Sequence, residues 1–423
     1  MSNYVCVLDT QKAPQTPVHP AVARRLLTAK AAAVFKRFPF TIILKAAGPG
    51  PLFVRQHRLK IDPGSKTTGL ALLDGDKVVW IAELTHRGQR IKDALEKRRA
   101  IRRGRRQRKT RYRPARFDNR RRPEGWLPPS LQSRVCNVMT WVRRLRGLCA
   151  ITALSQELVR FDMQLMQNPE IAGVEYQQGE LAGYEVREYL LEKWHRTCAY
   201  CGKKEVPLEV EHITPRSRGG SNRVSNLTLA CVPCNQKKDK QTAAEFGYPQ
   251  IQVQARLPLK DAAAVNATRW ELYHALQATG LSVETSTGGR TKYNRTRLGL
   301  AKSHWADAAC VGASTPETLV VSATRPLGIT ALGHGRRQVV CTDAHGFPRG
   351  GPGRVKRVQG FSTRDIVRLV QPTGKYHGVH VGRLTGIRVE GRHSLKTREG
   401  QEITGKASNM TLVQRGDGYA YTS

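Results

Sequence analysis

Apolar residues recur along the chain with two periods. Short apolar runs, Phe40-Thr-Ile-Ile-Leu44, Leu59-Lys-Ile61, Gly69-Leu-Ala-Leu72 and Val78-Val-Trp-Ile-Ala82, are punctuated by Gly and Asp turns and predict strands. Ahead of them, Pro14-Gln-Thr-Pro17-Val-His-Pro20 predicts a turn and Ala21 to Lys30 a short basic helix, with Gly48-Pro-Gly-Pro51 as a linker. After Pro128-Pro129, the positions Leu131, Val135, Val138, Val142 and Leu145 fall three or four apart, which is one helix face, and Ser130 is its expected cap. Ile151 to Asp162 reads as a strand carrying Glu157 outward. Residues 163–183 show no strong period, and Tyr184 to Trp194 reads as a short helix.

Beyond Gly247 a helix around Asp261 to Leu276, a strand at Leu281 to Thr285 and a basic loop from Gly288 to Arg297 precede Ser303, which would cap a helix with His304 and Asp307 on one face. From Arg336 onward the pattern becomes short runs between glycines: Gln338 to Cys341, Asp365 to Val370, Gly378 to Val381, Gly386 to Val389 and Met410 to Gln414. A small antiparallel barrel is expected there.

One stretch breaks this patterning. Arg87 to Arg122 holds 18 Lys or Arg against Asp93, Glu96 and Asp118, so it alone contributes +15 of the net charge of +38. Its apolar residues are too sparse for a core, but Ile91 to Lys109 lacks proline and would be helical once neutralised. A solvated charged face interleaves both signs, whereas this block carries one, which fits a helix embedded in nucleic acid. Arg98, Arg99, Arg102, Arg103, Arg105, Arg106, Arg108, Lys109 and Arg111 are its phosphate-contacting candidates. A chain with 71 basic and 33 acidic residues among 423 expects a polyanionic partner, and its length suits two to four domains. No run approaches the roughly 18 apolar residues of a membrane span, and Met1 to Thr10 has no signal-peptide pattern, so a cytoplasmic location is expected.

Cys198-Ala-Tyr-Cys201 and Cys231-Val-Pro-Cys234 are Cys-x-x-Cys knuckles separated by 29 residues, a spacing at which four thiolates converge on one structural Zn²⁺. In a reducing compartment such pairs hold metal rather than disulfides. Cys6, Cys136, Cys149, Cys310 and Cys341 are scattered, consistent with small buried residues. Between the knuckles stand Glu211-His212-Ile213 and Asn226-Leu227, and Asn235 and Lys238 follow. Phosphodiester hydrolysis needs a base for water and a divalent cation for the leaving oxygen; His212 suits the first and the oxygen donors Glu211 and Asn235 suit one Mg²⁺. The segment resembles an HNH endonuclease module of the zinc-containing ββα type. The resemblance implies His212 as general base, Glu211 and Asn235 as magnesium ligands, and Asn226 as the residue that holds the histidine loop. A knuckle that only binds nucleic acid would leave these side chains without work.

Three further acids, Asp62 before Pro-Gly-Ser-Lys, Glu157 and Asp307, reach from different elements, with His304 beside the last. Glu175 is a rival for the second position, but Glu157 lies in the better strand. Two Mg²⁺ ions about 4 Å apart need bridging carboxylates of this kind. The order strand-Asp, strand-Glu, helix-Asp resembles the RuvC branch of the ribonuclease H fold. With the Arg-rich helix and the HNH insert it resembles IscB, the family of transposon-encoded RNA-guided nucleases related to the type II CRISPR effectors. Pro14 to Leu27 fits that family's N-terminal module, although Gln15-Thr16 departs from its usual Leu-Met.

The resemblance implies an α/β protein. Its parts would be an N-terminal module (1–50), RuvC parts at 51–86, 123–190 and 248–335, a bridge helix at 87–122, the HNH module at 191–247 and a C-terminal β-rich domain at 336–423. It further implies a monomer that binds a structured guide RNA and double-stranded DNA beside a short flanking motif, away from membranes, with HNH cutting the guide-paired strand and RuvC the displaced one. A protein-only homing or restriction nuclease and a binding-only ribonucleoprotein are the alternatives.

Overall fold

The computed structural model describes residues 3–46, 54–107, 126–158, 187, 190–191, 193–256, 262–321, 325–333, 343, 347–350 and 357–422. The N-terminal stretch forms β1 (Val5–Leu8), β2 (Pro14–Val18), α1 (Pro20–Thr28), β3 (Ala32–Lys36) and β4 (Thr41–Leu44), a sheet of order β2-β1-β4-β3. The Pro-rich stretch expected to turn is therefore a strand. It lies at the sheet edge, where a missing N–H costs no ladder bond. The opposite edge, β3, was not expected at all: Val34 and Phe35 are exposed, so it lacks the buried alternation that betrays a strand.

Next come β5 (His57–Asp62), β6 (Thr67–Asp74), β7 (Lys77–Thr85), α2 (Gly88–Gln107), α3 (Pro129–Arg146) and β8 (Ile151–Glu157). β6 and β7 form an antiparallel hairpin closed at Asp74 and Lys77, with Gly75 at φ 60° in the left-handed region its two-residue turn demands. α3 starts at Pro129 on Pro128, so the expected Ser130 cap is not used; proline already has the helical φ at the first position.

The rest comprises β9 (Leu208–His212), β10 (Leu227–Cys231), α4 (Val232–Lys238), α5 (Pro249–Arg256), α6 (Ala262–Gln277), β11 (Ser282–Ser286), α7 (Gly288–Arg297), α8 (His304–Ala309), β12 (Val320–Val321) and β13 (Leu327–Ala331). It ends with β14 (Ile366–Gln371), β15 (Gly378–Gly386), β16 (Arg392–Thr397), β17 (Glu402–Lys406), β18 (Met410–Gln414) and β19 (Tyr419–Thr422). The basic stretch expected as a loop is helix α7, whose Thr287 cap accepts from Arg290 N and whose Thr291 and Asn294 are buried. In place of the expected barrel, β14 to β18 make an open five-stranded antiparallel sheet of order β17-β16-β15-β14-β18 over Val367, Leu369, Leu384 and Leu395. The strand expected at Gln338 to Cys341 lies outside the described residues.

The largest sheet has the order β11-β8-β5-β6-β7-β13-β19, with β12 beside β7. β8 and β11 run parallel, as do β7 and β13, whereas β19 returns antiparallel to β13. Two compact units divide the chain: residues 1–59, 66–152 and 319–423 form the first, and 60–65 with 153–318 the second. In the first, Trp141 of α3 is fully buried, stacks on Trp80 at 6.3 Å and meets Tyr419 and Tyr421 edge-on. In the second, Leu190, Leu191 and Trp194 pack with Leu208, Ile213, Leu229 and Ile251 into one core. All the candidate catalytic residues belong to this second unit.

Candidate functional site

The two knuckles meet as their spacing predicts. The sulfurs of Cys198, Cys201, Cys231 and Cys234 all lie within 4.8 Å of one another, and those of Cys201 and Cys231 are 3.7 Å apart. A tetrahedron with Zn–S bonds of about 2.3 Å has edges near 3.8 Å, so the cluster fits zinc. A backbone N–H from Lys203 pulls the Cys201 thiol down to about 7, while burial pushes Cys231 and Cys234 up. Four converging sulfurs need a cation to ionise together.

β9 and β10 pair antiparallel, with His212 opposite Leu227 and Glu211 opposite Thr228, and α4 follows directly. This ββα hairpin presents His212 beside the loop of residues 213–226. Asn226 closes that loop: its Nδ2 donates to the Thr214 carbonyl (3.0 Å) and the Ser221 carbonyl (2.9 Å), while its Oδ1 accepts from Thr214 N (2.9 Å). Arg216 donates twice to Asn222 Oδ1, at 2.9 and 2.7 Å, which marks that atom as the oxygen. His212 Nε2, 2.9 Å from the same oxygen, is then a protonated nitrogen, so in the neutral ring Nδ1 is the acceptor. Sequence reasoning missed both Asn222 and Arg216, which have no motif spacing of their own.

Glu211 and Asn235 are not brought together as ligands. Glu211 is buried, with Oε2 accepting from Tyr200 Oη and Oε1 from Lys238 Nζ, each at 2.6 Å. Asn235 Nδ2 instead donates to Glu209 Oε2 at 2.7 Å on the exposed side. Lys238 is itself fully buried and also donates to the His212 carbonyl. An ion at Glu211 therefore competes with Lys238 for the carboxylate, whereas Glu209 meets Asn235 on the exposed side through the Asn235 Nδ2.

The second set of candidates converges. Asp62 ends β5, Glu157 ends β8, and His304 and Asp307 stand on α8; all four line one cleft of about 370 Å³. Ser303 Oγ caps α8 by accepting from Ala306 N. Contrary to the outward position expected, Glu157 is buried and pairs with Arg269 at 3.2 Å, because α6 lays that arginine over the strand end. Arg295 of α7 pairs with Asp307 at 2.9 Å. Burial pushes the Asp307 carboxyl up, opposed by Arg295, Lys302, Arg196 and His304. The carboxylate oxygens are the donors that hard divalent ions take, in competition with Arg269 and Arg295, and the same arginines suit a phosphate. At the cleft wall His195 and Arg196 hold left-handed backbone, φ 53° and 56°, a strain that concentrates at functional sites. Glu175 lies outside the described residues.

α2 exposes Arg98, Arg99, Arg102 and Arg103. Arg105 and Arg106 belong to the same helix, whereas Arg108, Lys109 and Arg111 lie outside the described residues.

Comparison with known proteins agrees with this organisation. Residues 5–179 match the family model described as RRXRR protein, and residues 198–241 match that of HNH endonuclease. Arg102-Arg103-Gly104-Arg105-Arg106 spells the first family's name. No curated protein matches the chain. Two crystal structures of Streptococcus thermophilus Cas9, in complex with the AGAA PAM and with the GGAA PAM, are similar at 14% identity and a TM-score of 0.23. The matches cover 61% and 60% of this chain and 32% of the Cas9 chain, so the likeness spans about a third of that protein. The chain is a mixed α/β protein with an RRXRR region and an HNH endonuclease domain, which implies nuclease activity and a divalent metal. Among the described residues no helix is long and apolar enough to cross a membrane.

Proposed function

We propose that this protein is an RNA-guided DNA endonuclease with two hydrolytic sites. The observation that carries the reading is that Asp62, Glu157, His304 and Asp307, drawn from three elements, line one cleft in the same unit as a complete ββα hairpin with its four-cysteine cluster. A protein-only homing nuclease has little use for that second set of acids. The Arg-rich helix α2 supplies the basic surface that a guide RNA paired with DNA needs for its backbone.

At the HNH site His212 Nδ1, free to accept, takes the proton of the attacking water, while Nε2–H stays directed at Asn222 Oδ1. Asn222, locked by Arg216, keeps the ring in that tautomer, and Asn226 fixes the loop carrying both. A magnesium ion, when bound, would supply charge for the leaving oxygen; Asn235 would hold it through its amide oxygen together with Glu209, or with Glu211 once Lys238 has moved. In the second cleft Asp62, Glu157 and Asp307 would be the ligands for a magnesium pair, which would displace Arg269 and Arg295 from the last two. His304 stands beside them to handle a proton. The HNH site cuts the guide-paired strand and the carboxylate site the displaced one. The β14–β18 sheet reads a short flanking motif.

Protein isolated with its co-purifying RNA is the material for the test, with strand-labelled DNA complementary to that RNA. Asp62→Ala is expected to leave only the guide-paired strand cut, and His212→Ala only the displaced one. Loss of both cuts in either variant would reject two independent sites, and recovery of heterogeneous RNA would favour the protein-only nuclease.

A further inference from the structure

One layer of polar side chains, with Lys60 and Ser155 buried and Glu284 half-buried, lies next to the carboxylate cleft and takes no part in the proposed chemistry. Along a strand, residues two apart share a face. Lys60, Ser155 and Glu284 therefore stand on the same face as Asp62, Glu157 and Ser286, one rung further from the strand ends. The β8–β11 register pairs Ser155 with Glu284 and Glu157 with Ser286.

The bonds of this layer converge on a single turn. Lys60, fully buried, sends its Nζ to the Val311 carbonyl (2.7 Å) and Thr315 Oγ1 (2.9 Å). Glu284 accepts from Ser155 Oγ (2.7 Å), Ser314 N (2.9 Å) and Ser314 Oγ (2.5 Å). Asn294 of α7, also buried, donates to the carbonyls of Cys310 (2.9 Å) and Gly312 (3.0 Å). Gly312 holds φ 93°, and a Cβ there would come within 2.3 Å of Glu284 Oε2, so the turn sits directly against the carboxylate.

That turn, Cys310 to Thr315, follows α8, the six-residue helix bearing Asp307. So short a helix has too few bonds of its own to hold a position. Its burying faces are alanines, Ala306, Ala308 and Ala309, which fill space without dictating one registration. Directional hydrogen bonds to the buried Lys60 and the half-buried Glu284 do dictate one, because another arrangement would leave the Lys60 charge unsatisfied. We propose that Lys60, Glu284 and Asn294 are positioning residues: a polar clamp that sets where α8 holds Asp307 relative to Asp62 and Glu157, and so the spacing at which the three carboxylates take up divalent ions. The inference rests on the carboxylate cleft being a metal site.

The test is Mn²⁺ binding, followed by electron paramagnetic resonance on the zinc-loaded full chain carrying Asn235→Ala to reduce binding at the HNH site, with the melting temperature measured alongside. Asp62→Asn is the control and is expected to abolish binding in the cleft. Lys60→Met and Glu284→Gln are each expected to weaken Mn²⁺ binding roughly tenfold or more, the range seen when groups that orient metal ligands are removed. The Lys60 charge also acts on the Glu284 carboxylate, so the double variant, in which neither charge is left alone, is expected to recover part of the loss. Ser314→Ala, which removes one hydroxyl and keeps both charges, is expected to bind several-fold more weakly at an unchanged melting temperature. Parental affinity in all the clamp variants, with binding lost in Asp62→Asn, would overturn the clamp and leave the cleft standing. Parental binding in Asp62→Asn would overturn the cleft and the clamp with it. Affinity that falls only in step with the melting temperature, without recovery in the double variant, would reduce the layer to scaffold and overturn the positioning role.

Discussion

Glu209 and Glu211 lie two positions apart on β9 and have opposite surroundings. Glu211 is sealed between Tyr200 and Lys238, whereas Glu209 faces solvent and Asn235. Removing one partner of a buried ion pair strands the other charge, at a cost of about 3–5 kcal/mol. Glu211→Gln is therefore expected to lower the stability of the HNH module by about that much in urea titrations, and Glu209→Gln to change it by less than about 0.5 kcal/mol. If Glu209 and Asn235 hold the ion, Glu209→Gln raises the magnesium concentration needed for HNH cleavage; an unchanged requirement assigns the ligand to Glu211. His86 offers a second residue-level prediction. Its Nε2 bonds Thr68 Oγ1 at 2.8 Å, and burial, then the Arg134 charge, drives its pKa down to about 3. The folded ring stays neutral while the unfolded one takes up a proton below about pH 6.5. Its contribution is thus present above pH 6.5 and lost progressively as pH falls toward 3. The urea midpoint should drop over that window, and His86→Gln should flatten the drop; an identical acid limb in the variant would contradict the assignment.

At the scale of elements, α2 is a 20-residue helix in which every residue from Glu96 to Arg103 is exposed, a stretch of about two turns that no core packing explains. Arg98 and Arg102 bond the carbonyls of Ala94 and Arg98, one turn earlier, so they lie along the helix they decorate. Replacing Arg98, Arg99, Arg102 and Arg103 by alanine should preserve helicity, since alanine is the better helix former. If all four contact phosphates, the salt dependence of nucleic-acid binding should weaken by about three to four in the slope of log K against log salt. A slope unchanged beside normal circular dichroism would place the nucleic acid elsewhere. The elements also show where patterning misleads. α7 carries two glycines and no apolar period, yet it forms because Thr287 caps it and Asn294 anchors it to the turn after α8. β2 and β3 are edge strands, one proline-rich and one exposed, and neither has to display an alternating core face.

For the whole molecule, the four-cysteine cluster and the Trp80–Trp141 core belong to different compact units, which makes zinc removal selective. A chelator is expected to unfold the HNH module, since structural zinc contributes on the order of 10 kcal/mol in small modules. The aromatic near-ultraviolet circular dichroism of the Trp80–Trp141 stack should persist; its simultaneous loss would show that the cluster supports the entire fold. Short-range chemistry was legible in the chain itself. Cys-x-x-Cys spacing, the Glu-His and Asn-Leu pairs, the one-signed run of arginines and the strands of the β6–β7 hairpin each follow from neighbours or from a fixed period, so the residues alone specify them. Only the tertiary structure decided which acid faces which base. Alternation places Glu209 and Glu211 on one face of β9 and cannot say which of them Lys238 will claim. Nor does any sequence spacing bring Lys60 to the turn behind Asp307, 251 residues on at Val311, because the two meet only once β5 takes its place in the sheet beside β8 and β11.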